Sequence, residues 1–142
     1  MTSTPAKAGP HVTAVVALLD DGLQALPVPS PIHAHYGKRP SDDRTCVVVY
    51  GDPGDLSGPL GDRYRDIELL LQVTAVGEGP EQAAAFADDV TALLLTDSPP
   101  TVAGRRVWPL WRVAKQQGRR DDTVMPPLWV VTAQYAIHSE PA

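Results

Sequence analysis

QVTAVGEGPEQAAAFADDV, residues 72–90, passes from alternating polar and apolar residues, through two glycines and a proline, into apolar residues spaced by three and four. A change from a two-residue to a 3.6-residue period marks a strand running into a helix. What joins them decides the class of protein, because a glycine-rich strand-to-helix corner is also where phosphates are cradled. Gly77-Glu78-Gly79-Pro80 is poorly suited to that task. A dinucleotide fingerprint needs a third glycine where Gln82 stands, and a P-loop needs a Gly-Lys-Ser/Thr ending. Glu78 and Glu81 would also set carboxylates where an anion should bind. As a plain corner the same residues fit well: Gly79 serves as N-cap, Pro80 takes the first helical position, and Glu81 meets the positive helix end.

Working outward, the strand before the corner sends Arg65, Ile67, Leu69, Leu71, Val73 and Ala75 one way and Asp66, Glu68, Gln72 and Thr74 the other, with Leu70 the exception. One buried and one wet face describe an antiparallel sheet. The helix after it, from about Pro80 to Leu95, carries Ala83, Ala84, Ala87, Val90, Thr91 and Leu94 on one face. Upstream, Val12, Val15, Val16, Leu19, Leu23 and Leu26 recur at helical spacing until Pro27, Pro29 and Pro31 end the run. IHAHY (32–36) and TCVVVYG (45–51) read as two strands joined by a turn, and DPGDLSGPLGD (52–62) as a loop. RRVWPLWRV (105–113) and PLWVVTAQYAIH (127–138) close the chain as strands around a polar loop, with the tryptophans expected in the core. The fold class that follows is α+β, a single mostly antiparallel sheet with two helices on one face. Residues 1–10 are expected to form a flexible segment before one domain over 11–140.

Composition agrees with an ordinary globular domain: 142 residues, 43% hydrophobic and 20% charged. No apolar run approaches the ~20 residues that cross a bilayer, and the N-terminal residues lack the apolar stretch of a secretory signal, so folding in a cytoplasm is expected. The single cysteine, Cys46, allows no internal disulfide and sits in an apolar strand as a small hydrophobe with a raised thiol pKa. The net charge of −5 is uneven, because the last six basic residues all fall within 105–120. This strip interleaves Arg105, Arg106, Arg112, Lys115, Arg119 and Arg120 with Trp108 and Trp111. Nucleic-acid binders use such a mixture. A subunit contact explains the acidic remainder as well, with the strip facing Glu81, Asp88 and Asp89 of a neighbour, and unlike surfaces meeting head to tail generate rings.

Other candidates are weaker. His33 and His35 could share a metal, with Asp42, Asp43 or His11 as a third ligand, although two half-exposed histidines on an edge strand are the commoner arrangement. Ser57 lacks a nucleophile elbow, and the pairs Asp42-Asp43 and Asp121-Asp122 read as solvated turns.

Taken together, QVTAVGEGPEQAAAFADDVTALLL, TVAGRRVWPL, RRDDTVMPPLWVVTAQYAIHSEP and YGKRPSDDRTCVVVYGDPG resemble the tail terminator, or tail completion, proteins of long-tailed actinobacterial phages and prophages. The resemblance spans residues 12–141. It implies a structural, non-enzymatic protein without cofactor or metal. Such a protein forms a hexameric ring that caps the tail tube, stops its polymerisation and meets the head connector, while DNA passes through the lumen without specific binding. A head-closure or neck adaptor is the nearest alternative. The resemblance places contacts in residues 52–62, including Asp55, Leu56, Leu60 and Asp62, and in residues 116–123.

Overall fold

The computed structural model describes residues 5–26, 32–40 and 42–142, in the order α1 (Ala8–Gln24), β1 (Ala34–Tyr36), β2 (Cys46–Gly51), β3 (Asp55–Ser57), β4 (Asp66–Gly77), α2 (Pro80–Leu94), β5 (Arg105–Val107), β6 (Trp111–Lys115), β7 (Arg119–Asp121) and β8 (Leu128–Pro141). The expected proline stop at Pro27, Pro29 and Pro31 lies outside the described residues. Helix α1 begins at Ala8, ahead of the boundary read from the sequence, and Ala6 N–H donates to Tyr64 O at 3.1 Å.

The alternation in β4 is realised: Ile67, Leu69, Leu71, Val73 and Ala75 are buried, while Glu68, Leu70 and Gln72 are exposed. β8 runs antiparallel beside β4 from Ile67↔Ser139 to Gly77↔Trp129, so these two strands are the spine of the sheet. On the other edge of β4 lie β2, opposite Leu71–Val76, and β3, opposite Asp66–Glu68. Along the far edge of β8, β5, β6 and β7 follow one another. The described strands form one sheet, mostly antiparallel and not closed into a barrel. The exception is β1, which pairs with β2 in parallel, Ala34↔Val47 to Tyr36↔Val49, where the sequence suggests a simple turn between the two.

Both helices lie on one face, as the apolar patterns require. Val12, Val15, Leu19 and Leu23 of α1 and Val90 and Leu94 of α2 join Val47, Val49, Leu69, Leu71, Tyr135 and Ile137 in one core. α1 covers β1 and β2, α2 covers β4 and β8, and Ala84, expected to face inward, is exposed on the flank of α2. The helix-free face has a smaller core at one end, where Cys46, Val48, Val76, Leu128 and Val130 are capped by Val124. This second core buries the helix-free face of β8 at Leu128 and Val130, with Thr132 beside it enclosed and hydrogen-bonded to Thr74 at 3.0 Å, while Trp129 and Val131 on the helical face stay half-buried.

Two further departures arise because very short strands carry too few residues to show a period. Residues 52–62 contain β3, and the polar stretch after Ala114 contains β7. The strand expected over 105–113 is broken between β5 and β6, at Pro109, which has no N–H for a ladder. The tryptophans are not core residues: Trp108 is 49% and Trp111 42% exposed.

Candidate functional site

The corner at Gly77 is structural throughout. A side chain at Gly77 would place its Cβ 2.6 Å from Ala83 N, so the first turn of α2 lies directly on the strand end. Gly79 is the N-cap, Pro80 opens the helix and Glu81 sits in its first turn. Gln82 turns back so that its Oε1 accepts Glu78 N–H at 2.7 Å, in the manner of a capping box. An N–H that an anion would need is therefore already occupied.

The metal candidates separate. His33 Nδ1 lies 3.1 Å from Asp20 of α1, whereas His35 Nε2 meets Asp43 at 2.8 Å. His11 is elsewhere, enclosed against β8. His35, Asp43 and Cys46 do bring ligand atoms within 4.8 Å of one another. Their chemistry suits a cation poorly: burial and the Asp43 charge push the Cys46 thiol up to about 12, and the Asp43 carboxylate already bonds His35 Nε2 at 2.8 Å. A second group, Asp66, His138 and Glu140, has its carboxylates engaged by Arg65 and Arg106.

The residues of the basic strip differ in their partners. Arg105 turns inward and donates from Nε to Ser139 Oγ and from Nη2 to Ser139 O, both at 3.1 Å. Arg106 is ion-paired with Glu140, and Arg120 with Asp122 at 2.7 Å. Arg119 lies beside Asp121, whose carboxyl is held below its usual range by the Thr123 hydroxyl and N–H. Registers Trp111↔Ala136 and Arg112↔Tyr135 place these neighbours on opposite faces of the sheet, so aromatic and cationic groups do not alternate on one nucleic-acid track. Trp108 instead packs edge-on against His138, with ring centroids 6.1 Å apart.

What the fold does create is a groove. Over β6 and β7 the helical face carries no helix among the described residues, and the flank of α2 stands beside the open sheet. Two hollows, of about 190 and 460 Å³, share Val131 as a wall. Asp88 of α2 lines the first together with Arg112 and Lys115. The three charged groups line one hollow without forming an ion pair with one another. Asp89, just beyond, has its carboxyl pKa raised by partial burial and by the charge of Asp88. Glu81 is exposed at the start of the helix.

The predicted loop residues lie on the other side of the molecule. Asp55 and Leu56 are exposed on β3, Leu60 stands 92% exposed, and Asp62 N–H closes a turn onto Pro59 O at 2.9 Å. Sequence reasoning missed one constellation altogether, the buried set His11, Ser139 and Arg105. His11 Nδ1 faces the Lys7 carbonyl at 2.7 Å and so must donate; Nε2 then accepts the Ser139 hydroxyl at 2.6 Å. Burial keeps this histidine neutral, its pKa lowered despite the Lys7 hydrogen bond, with Arg105 adding repulsion. All of it serves to dock α1 on the end of β8. No described helix is long and apolar enough to cross a membrane.

No protein-family model and no curated protein matches the chain. Solved structures do. A chain from a structure titled "Virion of native gene transfer agent (GTA) particle" matches with a TM-score of 0.63 at 15% identity, over 92% of this chain and 97% of that one. A second solved chain matches with a TM-score of 0.60 at 17% identity, over 92% and 93%. At these identities the likeness is one of fold, and it extends over nearly the whole length of each chain.

Proposed function

We propose that the chain is a structural protein of a phage-type particle, a ring-forming tail terminator with no catalytic role. The observation that carries this reading is the fold shared, almost end to end, with a chain of a gene transfer agent virion. The resemblance of the sequence to tail terminators supports the same conclusion independently. The mechanism is geometric: about six subunits close into a ring on the last tube subunits, cover the rim at which the next would add, and offer the head connector a new surface. Assembly takes place in the host cytoplasm, and the finished protein sits at the head-proximal end of the tail. An excess of acidic over basic residues suits a lumen through which DNA slides without adhering.

Binding partners separate this from the nearest alternative, a head-closure or neck adaptor. Purified protein added to growing tail tubes should stop their elongation and appear at one end in negative stain. Protein that ignores tubes but binds the portal or connector would instead be an adaptor.

A further inference from the structure

We propose that residues 52–62 of one copy seat in the groove between α2 and β6 of the next, with Leu60 foremost, so that opposite edges of two sheets meet head to tail. The proposal rests on the ring-forming reading and names its contact. The donor segment presents Leu60, 92% exposed, and Leu56, 40% exposed, among Asp52, Asp55 and Asp62, with no basic residue in the stretch. An isolated exposed leucine is unremarkable; two on one short acidic segment form an apolar anchor with a charged surround.

The groove has the complementary character. Its walls are Ala84 and Ala87 of α2 and Trp129, Val131 and Ala133 of β8, and the two hollows have room for leucine-sized side chains. Arg112 and Lys115 stand at its rim without an ion-pair partner within hydrogen-bonding range among the described residues, against a single acid, Asp88. An acidic, leucine-bearing segment therefore gains both apolar burial and charge pairing there.

Topology makes the contact intermolecular. β3 holds the segment against Asp66–Glu68 at the outer edge of β4, whereas the groove lies over the opposite end of the β4–β8 spine, lined by Val73 and Ala75, and extends past β8 to Arg112 and Lys115 of β6. Donor and acceptor are unlike surfaces on opposite sides of one subunit, and such a pair builds closed rings or open filaments rather than two-fold dimers.

A disulfide trap tests the contact, using Leu60→Cys with Ala84→Cys in the full chain, oxidised with diamide. The native thiol, Cys46, is fully buried and gives little background. The proposal predicts a ladder of covalent multimers on a denaturing gel, with either single variant giving dimers at most. Arg112→Glu combined with Lys115→Glu, or Leu60→Glu alone, should raise the concentration for half-assembly on the order of tenfold to a hundredfold. Rings that form without a ladder, and that Leu60→Glu leaves intact, would overturn the contact and leave the ring reading standing. Normal rings from Leu60→Glu that no longer cap tubes would assign the segment to the tube protein, again overturning it. A ladder without closed rings would keep the contact and remove the ring. No ladder and no self-association, even on tube ends, would remove both.

Discussion

Single residues set the positions of both helices. Gly77 is present because the N-terminal turn of α2 occupies the space a side chain would need: a methyl group there would lie 2.6 Å from Ala83 N and 3.0 Å from Ala83 Cα. Backbone cannot yield there as a flexible side chain could, so Gly77→Ala should destabilise the domain by about 1–3 kcal/mol, read from the shift of a urea unfolding midpoint. His11 does for α1 what Gly77 does for α2. Its folded pKa lies below the ordinary 6.5, so as pH falls through that value the unfolded chain takes up a proton that the folded one resists. Stability from this residue is intact above 6.5 and declines from there down to the folded pKa. His11→Gln, which can still reach Ser139 but does not titrate, should flatten that limb of the stability profile; an unchanged limb would assign it to other groups. The corner is legible in the sequence because its signals are local. The pairing of residues 11 and 139 is not, since no sequence spacing links positions that only the complete sheet brings within 2.6 Å.

At the scale of elements, length decides what can be read. β4 and α2 are long enough for their periods to show, and the sequence places both to within a few residues. The three-residue strands β3 and β7, which the sequence reading assigns to loops, have no period, and each pairs with the edge of a longer neighbouring strand. The tryptophans mislead for a related reason: β6 looks like a core strand by composition, but it is an edge strand exposed along its whole length. The same contrast should appear in amide exchange. Protection should be greatest in β4 and β8, paired on both sides, and least in β3 and β6. Slow exchange in β6 of the isolated subunit would mean that something covers it.

For the whole molecule, charge and topology argue together. The sequence shows acidic and basic residues unevenly placed, and its resemblance to tail terminators implies contacts at residues 52–62. It does not show how each cation is partnered: Arg105, Arg106 and Arg120 bond within the chain, whereas Arg112 and Lys115 line the groove. Partner choice cannot be read from composition, since the same six cations serve either an internal bond or a neighbour. An open sheet with unlike edges is suited to repetition, and a ring is the form in which repetition ends. The measurement that tests this most directly is mass by light scattering over a range of concentration and salt, with and without purified tail tubes, and negative-stain images of the same samples. The account predicts closed rings of about six subunits, free or on tube ends. A chain that stays monomeric at every concentration and leaves the tubes uncapped would contradict it.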